Sequence, residues 1–328
     1  MINIQELEWW AMDPHVHCRD EEESYKTTIS ETLQLAREQG ISVVCDMPNT
    51  ANPVINRIRV HERLALVPDR DRDEGRYRLY VGLTDDPEQI AEAVWCYKHL
   101  PEVIGLKLYM CHSIGGLAVS DVVAQTKVFK VLTEIGFSGV VACHCEREDR
   151  MNPGLWSPQN PISHCRARPP EAEIESIRDI LRITRETGFS GHVHVCHVSE
   201  PHSVELVQRA KGNGRRISCG VTPHHLMLDM SDMVRSGGLR LKVNPPLRSA
   251  ESVRILRQQL EQGMIDVIET DHAPHGPREK CLDLCLSGIQ SLDGYLRFVT
   301  DCLPALGLSP RQIKGLTADN VLTIFEKL

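Results

Sequence analysis

EAEIESIRDILRITRETGFSGHVHVCHVS, residues 171–199, is the stretch whose reading decides the fold. Over 171–187 the apolar residues recur at helical spacing, and Gly188 supplies the stop expected just past a helix. After a short turn, 192–199 reads as an apolar run of strand length. The same alternation recurs along the chain. Strand-length runs occupy 10–17, 41–46, 77–83, 103–110, 139–145, 192–199, 217–221 and 266–270. Helical stretches at 30–39 and 252–262 also end on glycine, at Gly40 and Gly263. Alternation of strand and helix predicts a parallel sheet, and eight units predict its closure into an α/β barrel of the (β/α)8 TIM type. The expected organisation is one domain over 1–328. The composition breaks only at 152–170, a Pro-rich polar segment expected to form a long loop over the barrel mouth.

The composition narrows the function. The chain has 328 residues, with 45 acidic against 37 basic side chains and a net charge of −8. Binding to nucleic acid or to an anionic membrane would favour the opposite balance. No apolar run approaches the roughly 18 residues that a membrane span needs. The N-terminal residues MINIQELEWWAMD lack the basic region of a signal peptide, so a cytoplasmic location is expected. The twelve cysteines include no CxxC pair and read as reduced thiols that pack as small apolar groups.

Ionisable residues gather at the C-terminal ends of the strands: His15 and His17, Asp46 to Asn49, Lys107, His144, His197, His224 with His225, and Asp271. In a barrel those ends converge on one face, where active sites lie. His15 and His17 alternate along a strand and so share a face, from which both imidazoles reach one divalent ion. Arg19 lies two positions further and offers a planar fork to a carboxylate. Lys107 falls inside an apolar strand, where burying a charge is costly and the neutral amine is favoured. Such an amine near metal ions can take up carbon dioxide as a carbamate and become an anionic ligand. His144 and His197 each end a strand, and Asp271 ends the last one. Histidine and carboxylate donors of this kind suit zinc, with manganese or cobalt as alternatives. His192 and His194, further from their strand's end, are weaker candidates.

These blocks together resemble the amidohydrolase superfamily and, within it, the dihydroorotase family. DPHVHCRD at 13–20, CDMPNT at 45–50, CHVS at 196–199, VTPHHL at 221–226, KVNPPLR at 242–248 and TDHAPH at 270–275 carry the resemblance. It implies reversible hydrolysis of the cyclic amide of dihydroorotate to N-carbamoyl-aspartate, a step of pyrimidine biosynthesis, by metal-activated hydroxide. It also implies two Zn²⁺ per chain, one on His15, His17 and Asp271, the other on His144 and His197, bridged by carboxylated Lys107. Asp271 would be the general acid/base. Arg19, Asn49, Asn244 and His275 would bind substrate, with Arg19, Asn49 and His275 on its carboxylate. A homodimer, and association with aspartate carbamoyltransferase as in some members, belong to the same set of expectations. So does the absence of the small β-sandwich that many members build from both termini.

Two departures stand out. Cys111 and His112 occupy the positions where one branch of the family has a bridging aspartate, and GIQSLD at 288–293 differs from the family's GxxGLE. The loop 110–120, with Gly115 and Gly116, is a candidate lid. The competing readings are a hydantoinase-like or allantoinase-like cyclic amidohydrolase, and an inactive structural partner of the carbamoyltransferase.

Overall fold

Eight strands form one parallel sheet in chain order: β1 (Ala11–Val16), β2 (Ile41–Asp46), β3 (Tyr77–Gly82), β4 (Val103–Tyr109), β5 (Val140–His144), β6 (His192–Val195), β7 (Ile217–Val221) and β8 (Val267–Ile268). They are seen in a computed structural model that describes residues 9–112 and 116–328. Among the described residues one main helix follows each of the first seven strands, α1 (Ile29–Glu38), α2 (Arg57–Ala65), α3 (Pro87–His99), α4 (Val122–Glu134), α5 (Pro170–Glu186), α6 (Pro201–Gly212) and α7 (Ala250–Glu261), with shorter helices between some of them. Helical segments between 295 and 324 follow β8. The expected TIM barrel is present. Its last seam, between β8 and β1, is closed beyond the ladder: His17 N donates to the His272 carbonyl at 2.8 Å, and Thr270 Oγ1 donates to Asp13 Oδ2 at 2.5 Å.

The helices end where the sequence says they should. Gly40, Gly188 and Gly263 have φ of 77°, 71° and 72°, a left-handed conformation that glycine adopts without a Cβ penalty. α1 begins with a capping box between Thr28 and Glu31. Two apolar layers result. Leu106 and Leu108 of β4 join the layer between barrel and helices, so the alternation turns Lys107 and Tyr109 inwards. Phe325 enters the barrel interior beside Tyr80 and His194, with ring centroids 6.0 and 5.5 Å away.

Three expectations need adjustment. β6 and β8 are shorter than the runs 192–199 and 266–270, for a reason given below. The segment 152–170 is partly helical, with a 3-10 turn at Pro153–Leu155 and a short helix at Ser163–Ala167. Of the candidate lid 110–120, residues 113–115 lie outside the described residues, as do residues 1–8 of the N-terminal segment. The flanks of that lid are tied to β4, where Val119 N donates to the Tyr109 carbonyl at 2.8 Å. Among the described residues no helix is long and apolar enough to cross a membrane.

One buried ion pair pins β2 to the first loop. Asp46 Oδ2 accepts from Arg63 Nε at 3.0 Å and from the Tyr77 hydroxyl at 2.6 Å, while Oδ1 accepts from Cys18 N at 2.8 Å. Arg63 also caps the carbonyls of Cys18 and Arg19. Removing one partner strands the other charge in the core. Arg63→Met should therefore cost about 3–5 kcal/mol in urea unfolding, whereas Arg57→Met, which breaks the exposed pair with Glu92, should leave the midpoint unchanged.

Candidate active site

A cavity of about 360 Å³ opens at the C-terminal ends of the strands, lined by His15, His17, Asn49, Tyr109, His144, His197, Asn244 and Asp271. Lys242 and residues 284–288 wall its other side. Two clusters face it. In the first, the Asp271 carboxylate Oδ1 lies 3.0 Å from His17 Nε2 and 3.3 Å from His15 Nε2. In the second, His144 Nδ1 lies 3.1 Å from His197 Nε2. The His15 and His197 rings, 5.1 Å apart, join the two. Burial depresses the pKa of His15, to about 4, and that of His197; the nearby Lys107 ammonium lowers both further. Lys107 thus lies within electrostatic reach of both clusters. It is fully buried, with Nζ 3.1 Å from Cys196 Sγ.

His197 and Asp271 have φ of 38° and 48°. Left-handed backbone at a residue with a Cβ costs on the order of 1 kcal/mol or more. It also takes His197 out of the ladder just past Val195, while beyond Ile268 the Thr270 amide turns from the ladder to Asp13 Oδ1. The bend turns each side chain towards the cavity. The His197 amide, freed from the sheet, donates to Glu269.

Buried carboxylates orient the histidines. Glu269 Oε2 is 3.3 Å from His15 Nδ1 and 3.4 Å from His194 Nε2, and Glu146 Oε2 is 2.8 Å from His144 Nε2. A carboxylate on one ring nitrogen keeps a proton there and leaves the other nitrogen's lone pair for a metal. Such pairing would leave His15 Nε2 and His144 Nδ1 for a metal. Although burial acts to raise them, the histidines hold the Glu269 and Asp271 carboxyls well below the usual range.

The donor set fits a divalent ion. His15, His17 and Asp271 present atoms within 4.8 Å of one another, a common set of ligands for zinc. The Nδ1 of His197 and both ring nitrogens of His224, all buried, lack a hydrogen-bond partner. Two other groupings are filled from within. Cys196 and Glu269 are engaged by Lys107 and by the His15–His194 pair. Cys111 and Glu146 bond the guanidinium of Arg168, and Glu146 also meets His144.

The structure gathers His15, His17, His144, His197 and Asp271 at one cavity, with Lys107 beside them, and Asn49 and Asn244 on its wall. Asn244 Oδ1 meets His164 Nε2 at 2.9 Å and the Ser287 hydroxyl at 3.2 Å. Arg19 and His275 are set behind that wall. Arg19 Nε donates to the Pro274 carbonyl at 3.3 Å, and His275 is held by Glu279 and by the Ser287 carbonyl at 2.9 Å. His192 and His194 are paired with Ser218. Glu146, Glu269 and Arg168 had no role in the sequence reading. The i, i+2 spacing of His144 and Glu146 at a strand end was a usable signal for the first; the other two are joined to the site only by the fold.

No protein-family model matches the chain. Among curated proteins, the dihydroorotase of Brevibacillus brevis is 34% identical over 275 residues, or 82% of this chain and 61% of that protein. That of Methanothermobacter thermautotrophicus is 30% identical over 325 residues, 96% and 68% of the two. That of Mycobacterium tuberculosis is 32% identical over 321 residues, 94% and 70%. The chain thus spans about three fifths to seven tenths of these relatives' length. Among solved structures, an L-hydantoinase (dihydropyrimidinase) from Arthrobacter aurescens aligns with a TM-score of 0.83 at 24% identity, covering 96% of this chain and 70% of that one. A dihydroorotase from Saccharomyces cerevisiae aligns with a TM-score of 0.76 at 18% identity, covering 97% and 84%. At those identities the two structures establish the shared fold.

Gly220 of β7 makes room for Glu269: a Cβ on it would collide with the carboxylate. Gly220→Ala should displace Glu269 from His15 and weaken Zn²⁺ binding about tenfold or more, read by competition with a chromogenic chelator.

Proposed function

The chain belongs to the dihydroorotase family, and we propose that it hydrolyses the cyclic amide of dihydroorotate reversibly to N-carbamoyl-aspartate. The observation that carries this reading is the meeting of Asp271 with His15 and His17 on one side of a cavity whose other side presents His144 and His197. We assign two Zn²⁺, one to His15, His17 and Asp271 and one to His144 and His197, with carboxylated Lys107 as the bridge. Bound zinc would polarise the ring carbonyl and lower the pKa of water.

The remaining work falls to the protein's own groups. Asp271 accepts the proton of the attacking water and returns it to the departing ring nitrogen, as a general base and then a general acid. Its low pKa in the histidine cluster keeps it ionised for the first transfer. Asn49 and Asn244, on the cavity wall, hold the ring amide and the carboxylate. Arg19 lies within electrostatic reach of His275, since its charge adds to the burial that lowers the His275 pKa to about 4. We assign the substrate carboxylate to these two residues together with Asn49. It would take the place of the Pro274 and Ser287 carbonyls that Arg19 and His275 now face. All twelve cysteines are free, which supports the cytoplasmic assignment. A single barrel unit, a homodimer and docking of a carbamoyltransferase complete the proposal.

The deciding experiment pairs metal analysis by mass spectrometry with the loss of dihydroorotate absorbance. Turnover with two zinc ions per chain is the expected result. Metal-loaded protein that opens hydantoin but leaves dihydroorotate intact overturns the substrate assignment. Asp271→Asn should lower kcat by about 10²–10⁴-fold in the same assay. Lys107→Ala should abolish turnover and regain part of it with added short carboxylic acids; no rescue removes the bridge.

A further inference from the structure

Arg168 follows the short helix Ser163–Ala167 and reaches from outside the barrel into the His144 side of the site. Its Nε donates to Glu146 Oε1 at 3.0 Å and its Nη2 to Glu146 Oε2 at 2.5 Å, a bidentate clamp. The same Nη2 lies 3.4 Å from Cys111 Sγ. Glu146 Oε2 in turn meets His144 Nε2 at 2.8 Å. Behind it, the Arg168 carbonyl accepts from Arg248 Nη1 at 2.7 Å, and Arg248 Nε donates to the Ser199 hydroxyl at 2.8 Å. Ser199 is held by the buried carboxylate of Glu173 on α5. A continuous line of charged hydrogen bonds therefore runs from α5 to a ligating histidine.

Cys111, His144 and Glu146 form a compact set of soft and hard donors with atoms within 4.8 Å of one another, and Arg168 is hydrogen-bonded to two of the three. Thiolate, imidazole and carboxylate together make a strong zinc site. It would compete with the His144–His197 pair for the same imidazole. The guanidinium fills that socket with a fixed positive charge that cannot be lost near neutral pH.

We propose that Arg168 is a positioning residue that occupies the Cys111–Glu146 socket, fixes His144 through Glu146, and thereby directs a divalent ion to the His144–His197 pair and away from Cys111. This rests on the two-ion reading above and deepens it, since it assigns what keeps the second ion in its place. Neither Cys111 nor Arg168 touches substrate in this scheme.

The test uses the full chain loaded with Co²⁺ alone, whose absorption reports its ligands. Wild-type protein should show d–d bands and no near-ultraviolet sulfur-to-cobalt charge-transfer band. Arg168→Met should show that band, and adding Cys111→Ser should remove it. Arg168→Lys keeps the charge but loses the fork, so it should fold without the sulfur band and bind the second Co²⁺ about ten- to a hundredfold more weakly. A sulfur band in the wild type overturns the proposal. So does an Arg168→Lys protein with wild-type affinity for both ions, which decides the matter even where Arg168→Met does not fold. Wild-type protein that takes up no second ion defeats the two-ion reading itself, and is told apart from these by its metal content.

Discussion

Glu269 is a carboxylate with no solvent around it, and much of the rim of the barrel is arranged to satisfy it. An ionised carboxyl in the interior survives only when its lone pairs are taken up by donors. Here three donors come from two other strands: His15 in β1, His194 in β6, and the amide of His197 just past β6. β7 contributes an absence, because Gly220 leaves the volume the carboxylate fills. One side chain beyond β8 thus ties the last strand to the first and to the sixth. It also contacts Nδ1 of His15, so the side chain that helps close the barrel also orients a residue of the site.

The same economy shows in the backbone. His197 and Asp271 leave their strands through left-handed conformations that residues with a Cβ adopt at a cost. Hydrogen bonds hold both in place. The His197 amide is satisfied by Glu269, and Thr270, the neighbour of Asp271, is bound through both its amide and its hydroxyl to Asp13. Strain at the two positions is therefore offset by buried polar bonds one residue away, and it falls on residues assigned as ligands.

The residues that were legible in the sequence are those fixed by period and by chemical type. Alternation put His15 and His17 on one face, and three glycines marked helix ends correctly because their role depends on the missing Cβ alone. What escaped was relational. Nothing in the residue types announces the left-handed turn at 197 or the bond of the Thr270 amide to Asp13, so the runs 192–199 and 266–270 overreach β6 and β8. Glu269 and Arg168 acquire meaning only from neighbours 254 and 22 positions away, His15 and Glu146 respectively. Arg19 and His275 were placed on the right side of the barrel, but their bonds to Pro274 and Ser287 depend on how the loop after β8 folds back. Segment 152–170 looked like a covering loop, whereas its short helix serves to deliver Arg168.

Charge bears on how the proposed lysine carbamate and metal ions would depend on each other. Glu146, Asp271 and Glu269 bring three buried carboxyl groups to the site beside the Arg168 guanidinium and the Lys107 amine, while burial pushes His15 and His197 towards their neutral forms. Carboxylating Lys107 would leave four carboxylate-type groups facing one guanidinium, an arrangement that burial alone strongly opposes. Two divalent ions would reverse that opposition. Under the two-ion proposal the carbamate and the ions would therefore each favour the other, as one linked equilibrium.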